Sequence, residues 1–201
     1  PIEDNGRELA SLLEQLLTHA SVPVTELAIV AHGMGGLVAR AAVHLARQQA
    51  TWHWPRQLRQ LVFLGTPHHG QGPQAVPRRM ASLLQDEPAM PASDLLRRLA
   101  SLRSAGLQDL QRGAVAGAKA PDPIPLPEGI ACYTVAGSLS RRRHALLERT
   151  LGDGVVPVAS ALGQHADPRR SLVFAREAQH VASRTHHLHL PRSTEVARRI
   201  I

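Results

Sequence analysis

Aromatic residues and lysine are scarce in this chain of 201 residues. Two Trp, one Tyr and two Phe are its only aromatic side chains, and Lys119 is its single lysine. The net charge of +7 therefore comes almost wholly from arginines, which are scattered in ones and twos, with Arg141-Arg142-Arg143 the densest group. A nucleic-acid surface combines a basic stripe with interleaved aromatic side chains. The sequence shows neither feature, so we expect no nucleic acid among its partners.

Cysteine and long apolar runs are equally sparse. Cys132 is the single cysteine, which excludes an internal disulfide, and its surroundings (IACYTVA) indicate a buried thiol. No run approaches the roughly 18 apolar residues of a membrane span, so no transmembrane segment is expected. No secretory signal pattern is visible, and we expect a cytoplasmic protein. With 43% apolar residues, the chain can build the core of a single domain over residues 1–201.

Alternating helical and strand-like patterns indicate an α/β protein. A leucine repeat predicts a first helix over about residues 6–20, and Asn5 with Glu8 has the spacing of a capping box at its start. Further helices are predicted at about 35–49 and from Ser193 or Thr194 onward, and strands at 27–31, 58–65, 131–138 and 171–175. This alternation favours a parallel sheet with crossover helices.

The segment of about 75–127 is too long for an ordinary connection between a helix and a strand. It holds two helical patterns, near 77–85 and 93–112, and ends in a Pro-rich connector, PDPIPLPEG. Connections of this length are uncommon in compact domains unless they have a role of their own. We therefore expect a helical cap insertion over one edge of the sheet.

The stretch LAIVAHGMGGLVAR (27–40) places a sharp turn between a strand and a helix. In a nucleophile elbow, such a turn lifts one side chain above the sheet, and small residues flank it because the backbone is crowded. The residues that support the turn are Ala31, His32, Gly35 and Gly36. The backbone N–H of Met34 is placed to face a developing oxyanion. The apex itself is Gly33, which has no side chain to react.

Four segments together resemble the lipase and esterase branch of the α/β-hydrolase superfamily. VAHGMGGLVAR resembles the elbow GHSMGGLVAR of that branch. LVFLGTPHHG (61–70) is similar to the strand and loop that follow in bacterial triacylglycerol lipases and GPI-inositol-deacylase-like lipases. GDGVVPVASALG (152–163) resembles the acid loop, and HLHLPRSTEV (187–196) the histidine segment. The four motifs occur in the family's order, and they imply an α/β-hydrolase fold.

The resemblance assigns the nucleophile position to Gly33, the acid to Asp153 and the base to His187. In this family a serine attacks a carboxylic, lipid-like ester and forms a covalent intermediate, while the histidine takes its proton and the acid orients the imidazole. No metal or cofactor is implied. Removing the serine from such a triad costs on the order of 10⁶ in turnover, so we expect the chain as written to be catalytically inactive.

A second departure from the family concerns the start of the fold. The family's earlier strands, and the His-Gly loop that gives a second oxyanion donor, do not precede the elbow in these 201 residues. We therefore interpret the sequence as the C-terminal portion of the domain, either a fragment or a reduced relative. Strand 27–31 is then expected to have a bare edge, which favours self-association.

Three alternatives stand beside a hydrolase site. Gly33-Met34-Gly35 before a helix is similar to the start of a dinucleotide-binding turn, but no Asp or Glu lies between Glu26 and Asp86, where the ribose-binding carboxylate would be. The histidines at 186–189 suggest a metal, but they lack Cys or carboxylate partners at ligand spacing. A non-catalytic binding or scaffold protein on the hydrolase fold stays open, because a fold does not fix a function.

Overall fold

The computed structural model describes residues 1–70, 105–115, 124–140 and 152–200. In chain order, its helices and strands are α1 (Ile2–Thr18), β1 (Leu27–His32), α2 (Met34–Arg47), β2 (Leu58–Leu64), α3 (Ala105–Arg112), β3 (Ala131–Ser138), α4 (Val158–Ala161), β4 (Gln179–Ser183) and α5 (Thr194–Ile200). Short 3₁₀ turns lie at Trp54–Arg56, Pro168–Arg170, Arg176–Ala178 and His187–Arg192. Most of the predicted cap lies outside the described residues, so the insertion stays a prediction.

The four strands form one parallel sheet in the order β1-β2-β3-β4. Parallel neighbours require a crossover connection, and α2 supplies the crossover from β1 to β2. Because all strands run in the same direction, their carboxyl ends lie along one edge of the sheet. The turn after β1 and the loops after β2, β3 and β4 therefore begin side by side. The prediction of a parallel sheet with crossover helices is confirmed.

The predicted strand at 171–175 is wrong, because the fourth strand is Gln179–Ser183. Leu172 and Phe174 are buried in the main core cluster, whereas Val173 is 88% exposed. Buried and exposed side chains do alternate here, but the segment packs on the core and does not pair in the sheet. The true strand, QHVAS, is short and has a single β-branched residue, so its sequence carries little strand signal.

Helix α1 begins at Ile2, so the predicted capping box at Asn5 is wrong and Asn5 lies inside the helix. Ile2 is fully buried, and its backbone N–H donates to Oδ2 of Asp109 at 2.9 Å. A Cβ at Gly6 would lie 2.5 Å from the Cβ of Ala41, so glycine allows α1 and α2 to approach closely. This contact fixes the helix that follows the elbow.

Helix α2 is buried on most of its surface, between the sheet and α1. Its buried residues include Leu37, Ala39, Ala41, Ala42, Val43, Leu45 and Ala46. Leu37 and Ala41 cluster with Ile2 of α1, whereas Ala42, Val43 and Ala46 cluster with residues of β2. Contacts on both sides therefore hold α2 at the carboxyl edge. In the parts of the chain that the structure describes, no helix is both long and apolar enough to cross a bilayer.

Candidate active site

Gly33 forms the turn between β1 and α2. Its dihedral angles are φ 56° and ψ −126°, on the side of conformational space that L side chains rarely adopt. Its N–H donates to the carbonyl of Leu64 at 2.9 Å, which ties the turn to the end of β2. A serine at this apex would be strained by roughly 1–3 kcal/mol, as is typical of a nucleophile elbow.

Two of the three small residues beside the apex have a steric reason to be small. A Cβ at Gly36 would lie 2.0 Å from Oγ1 of Thr66, so no larger residue fits there. Ala31 is buried in the sheet beside Phe63 of β2. Gly35 is different, because no contact among the described residues lies within 4 Å of its Cβ position. The need for a small residue at Gly35 stays a prediction.

Asp153 and His187 are joined by two hydrogen bonds. Nδ1 of His187 lies 2.7 Å from Oδ2 of Asp153, and the backbone N–H of His187 donates to the Asp153 carbonyl at 3.0 Å. The other carboxylate oxygen, Oδ1, accepts the N–H groups of Val155 at 2.9 Å and Val156 at 2.7 Å. Asp153 is fully buried. Since a carboxylate only accepts, Nδ1 carries the proton and Nε2 is left as an acceptor.

Nε2 of His187 faces Gly33. The point where a Cβ of residue 33 would lie is 3.0 Å from Nε2 and 3.5 Å from Cε1 of His187. Apart from Gly33 and its chain neighbours, no other atom of the described residues comes within 4 Å of that point. A serine side chain would fit once the imidazole moves by a few tenths of an ångström. The structure thus brings Gly33, Asp153 and His187 together at the carboxyl edge.

Sequence reasoning missed two glycines that make room for this pair. Gly65, at the end of β2, has φ 55°, and a Cβ there would lie 2.9 Å from Oδ2 of Asp153 and 3.1 Å from Nδ1 of His187. A Cβ at Gly137 of β3 would lie 2.7 Å from the Cβ of Asp153. A glycine at the carboxyl end of a parallel strand, next to a predicted site loop, was the available signal.

His32 contacts His187 from the strand side of the turn. The two ring centroids are 4.3 Å apart, and Nε2 of His32 donates to the His187 carbonyl at 3.0 Å. Burial, with a further contribution from the neighbouring His187, lowers the pKa of His32, which keeps its imidazole neutral at neutral pH. The supporting residue predicted at this position therefore holds the histidine segment as well as the turn.

Met34 is the first residue of α2. A helix provides no acceptor for the N–H groups of its first turn, because no carbonyl lies one turn earlier. The N–H of Met34 therefore lies at the start of the helix, next to the apex, as the prediction of an oxyanion donor requires. The oxyanion role itself stays a prediction.

Three exposed apolar side chains lie next to a site residue in the chain, or are hydrogen-bonded to the loop that carries the acid, and we call them the apolar rim: Met34, Leu139 and Leu188. Met34 is 42% exposed, and Leu139 and Leu188 are each 48% exposed. Met34 follows Gly33 and Leu188 follows His187 in the chain. The N–H of Leu139 donates at 2.9 Å to the carbonyl of the residue that precedes the acid. All three site residues therefore have an apolar, solvent-facing neighbour.

The loop after β2 makes contacts that hold it against the rest of the fold. His68 is buried, and its Nδ1 lies 3.4 Å from a guanidinium nitrogen of Arg40. Burial, and then the nearby Arg40 charge, hold the pKa of His68 well below its usual range. Oγ of Ser160 donates to the Gly70 carbonyl at 2.8 Å and accepts the N–H of His69 at 3.2 Å. The Ser160 hydroxyl therefore both donates to and accepts from the backbone of this loop.

No cluster of three or more His, Cys, Asp or Glu side chains that could hold a metal occurs among the residues that the structure describes. His186 and His189, which suggested a metal, stack with their ring centroids 3.8 Å apart. His180 pairs with Glu195 instead, with Nε2 3.0 Å from Oε1. His186 and His189 after β4 thus contact each other, and His180 within β4 contacts a carboxylate.

The comparisons with known proteins agree with this architecture. The family described as PGAP1-like alpha/beta domain matches residues 7–86, which include the elbow and β2. The mature lipase BlEst2 of Bacillus licheniformis aligns with a TM-score of 0.52 at 19% identity, over 96% of this chain and 72% of that one. The product of gene lin2722 of Listeria innocua gives a TM-score of 0.52 at 19% identity, over 100% and 65% of the two chains. No curated protein matches the chain.

The chain thus spans less than two thirds of the Listeria protein. The family match includes the turn on which Gly33 sits, and the two structural matches extend over nearly all of this chain. The parallel order β1-β2-β3-β4 carries the elbow, the acid loop and the histidine loop at one edge. The chain thus has part of an α/β-hydrolase fold, and residues 7–86 match the PGAP1-like alpha/beta domain.

Proposed function

We propose that the chain binds carboxylic, lipid-like esters at the edge where Gly33 meets His187, and that the covalent serine-hydrolase route is closed in it. The observation that carries the proposal is the arrangement of His187. Its Nδ1 contacts the buried carboxylate of Asp153 at 2.7 Å, while its Nε2 faces the apex of the turn. An imidazole held in this way is the base and acid of an acyl-transfer site.

An ester carbonyl would be bound by the first turn of α2. The N–H of Met34 begins this helix beside the apex, and a helix N-terminus favours negative charge on a nearby oxygen. A carbonyl oxygen directed at this N–H places its carbon next to Nε2 of His187. The same two groups favour an ester, whose carbonyl oxygen accepts a hydrogen bond, over an apolar ligand that has no acceptor.

The apolar rim supports a lipid-like acyl group or alcohol. Met34 and Leu188 follow Gly33 and His187 in the chain, Leu139 is bonded to the acid loop, and all three expose large apolar side chains. A ligand that covers them removes apolar surface from water at about 25 cal/mol per Å². The similarity to a lipase from Bacillus licheniformis agrees with this substrate class.

Closure of the covalent route follows from Gly33. Glycine carries no hydroxyl, and the hydroxyl of Ser160 is bonded to the Gly70 carbonyl. Burial raises the pKa of the Cys132 thiol to about 11, so this residue stays a protonated thiol. Neither side chain replaces the missing nucleophile.

A non-hydrolysable medium-chain methyl ketone tests the binding site directly. We expect the His187 ring resonances to shift on titration when followed by NMR. Leu188→Ser should weaken binding about fivefold, because roughly half of a leucine side chain loses its contact. Leu12→Ser is the matched control, since Leu12 is 50% exposed on α1. The proposal fails if saturating ketone leaves His187 unmoved, or if both variants weaken binding equally.

A non-catalytic scaffold on this fold is the second candidate, and Gly33 is the observation that favours it. A scaffold function requires neither ketone binding nor a particular orientation of His187. The same titration therefore separates the two functions. The cytoplasmic location stays a prediction from the sequence.

A further inference from the structure

The glycine apex leaves the acceptor nitrogen of His187 facing an open point. We propose that the chain as it stands hydrolyses activated carboxylic esters slowly, by attack of water with His187 as general base and without an acyl-enzyme intermediate. This inference rests on the proposed ester site and adds an activity to it. Its basis is the contact geometry around Gly33, His187 and Asp153.

The base is already held in the required tautomer. Oδ2 of Asp153 accepts the hydrogen bond of the Nδ1–H group of His187 at 2.7 Å, which leaves the lone pair on Nε2. That lone pair points to the apex, where, among the residues that the structure describes, Nε2 and Cε1 of His187 are the only non-neighbouring atoms within 4 Å of the Cβ position. A water molecule bonded to Nε2 therefore meets no other side chain of these residues at that point. In a serine enzyme, the hydroxymethyl group would fill this place.

The electrophile is held by the same turn. A carbonyl oxygen facing the Met34 N–H brings the carbonyl carbon beside a water on Nε2. His32 holds the imidazole from behind, because its Nε2 donates to the His187 carbonyl at 3.0 Å. Base, water and carbonyl are then adjacent without any group supplied by the apex residue.

The reaction balances with water as the second substrate. Nε2 of His187 takes a proton from water while the water oxygen bonds to the carbonyl carbon, and the carbonyl oxygen becomes an oxyanion facing the Met34 N–H. Collapse of this tetrahedral species breaks the bond to the leaving oxygen, which receives the proton from the imidazolium. The products are a carboxylic acid and an alcohol, and His187 returns neutral.

The expected rate is low. General acid–base catalysis contributes typically about 10²–10⁴, whereas loss of a serine nucleophile costs on the order of 10⁶. The chain should thus exceed uncatalysed hydrolysis and stay far below a serine hydrolase. An assay must separate this rate from background catalysis, because the chain has 12 histidines.

The test is the steady-state release of nitrophenolate from 4-nitrophenyl acetate by the unmodified chain. We expect His187→Ala to lower the protein-dependent rate by about tenfold or more. His189→Ala removes an exposed histidine of the same segment and should leave the rate unchanged. Equal rates in the unmodified chain and His187→Ala would overturn the proposal.

Asp153→Asn keeps the shape of the site and reverses the tautomer. The amide oxygen can still accept from Val155 and Val156, but its NH₂ donates to Nδ1 and moves the proton of His187 to Nε2. We expect the rate to fall to that of His187→Ala, with folding checked by urea unfolding. Gly33→Ala should also lower the rate, because its Cβ would lie 3.0 Å from Nε2.

Direct attack by the imidazole is the remaining route, and two measurements distinguish it. Water attack predicts a normal solvent deuterium isotope effect and no acetylated protein in acid-quenched mass spectra. Acetyl-His187 would overturn the proposal. If the ketone binds and His187 contributes no rate, this inference fails while the proposed binding function stands. If the ketone does not bind, both fail.

Discussion

The Cβ position of Gly33 lies 3.0 Å from Nε2 of His187, which is closer than an ordinary van der Waals contact of a carbon atom. The turn and the histidine loop are thus assembled against each other although the apex has no side chain. The contact between His187 and Asp153, with the two backbone N–H groups on the carboxylate, keeps the imidazole in this position. The orientation of the base does not depend on a serine.

Gly65→Ala should disrupt the Asp153–His187 pair. Its Cβ would lie 2.9 Å from Oδ2 of Asp153 and 2.8 Å from Cδ1 of Leu190, at φ 55°. We expect a loss of about 1–3 kcal/mol in the free energy of unfolding, measured in urea, and a shift of the His187 ring resonances.

Gly129→Ala is the control for backbone strain in this experiment. Gly129 has φ 72°, and nothing lies within 4 Å of its Cβ position. It should cost about 1 kcal/mol from strain alone and leave His187 unmoved. Equal effects of the two substitutions on His187 would contradict the steric account of Gly65.

The stability of the fold should decrease below about pH 6.5 because of His68. Burial and Arg40 lower the folded-state pKa of His68, whereas the unfolded chain has the ordinary value near 6.5. Below that pH the unfolded state binds a proton that the folded state does not. Each such group removes about 1.4 kcal/mol of unfolding free energy per pH unit until the folded pKa is reached.

The pH slope of urea unfolding between about pH 6.5 and pH 5 measures this effect. His68→Gln should reduce the slope by up to the amount that one proton contributes, whatever the effect of the substitution on stability at neutral pH. The exposed His189→Gln should not change it. A slope that is identical in the wild type and His68→Gln would exclude His68 as the source.

His32 should act through His187 in a form that carries a serine at the apex. In Gly33→Ser, we expect His32→Ala to lower kcat about 2- to 12-fold with little change in KM, because one neutral hydrogen bond to the His187 carbonyl is lost. His32→Gln retains a donor and should recover most of kcat. A change in KM alone would assign His32 to substrate binding instead.

The β1 edge should favour self-association. Within the part of the chain that the structure describes, β1 pairs with β2 alone, and Val30 is 54% exposed. An unpaired apolar strand is a template for another chain, and lysine on such a strand opposes pairing. Val30→Lys should lower the mass seen by light scattering at high concentration. Val22→Lys, at a 70% exposed position outside the strand, is the control.

Wild-type protein that stays monomeric at high concentration would contradict the edge prediction. So would equal masses for the Val30 and Val22 variants. Either result would indicate that the edge of β1 is protected in solution.

The strands that the sequence predicted correctly are those rich in apolar and β-branched residues. LAIVA and LRQLVFL have continuous apolar runs, and ACYTVAGS matches β3 from Ala131 to Ser138. The fourth strand was missed because Leu172 and Phe174 give a stronger alternation than QHVAS, although they pack on the core outside the sheet. Pairing is a long-range property that a local pattern does not contain.

The site was predictable to the extent that its motifs are local. Gly33, Asp153 and His187 were assigned from the resemblance of short segments to a lipase and esterase family, and the structure brings them together at one edge. The role of His32 depends on its contact with His187, which lies more than 120 positions away in the sequence. The role of Gly65 likewise depends on contacts with distant residues. No spacing rule predicts such contacts. Gly35 shows the reverse case, since its motif position suggests crowding, but no contact among the described residues lies within 4 Å of its Cβ position.

The most direct test of the central claim is Gly33→Ser, assayed with 4-nitrophenyl acetate beside the unmodified chain. The account predicts a burst of nitrophenolate, an acetylated serine in acid-quenched mass spectra, and loss of both on further change of His187→Ala or Asp153→Ala. Turnover should stay moderate if the site has one oxyanion donor, since a second donor is worth about 2.7–4 kcal/mol. A folded Gly33→Ser protein without burst or acetyl-serine would contradict the assignment of this edge as an acyl-transfer site.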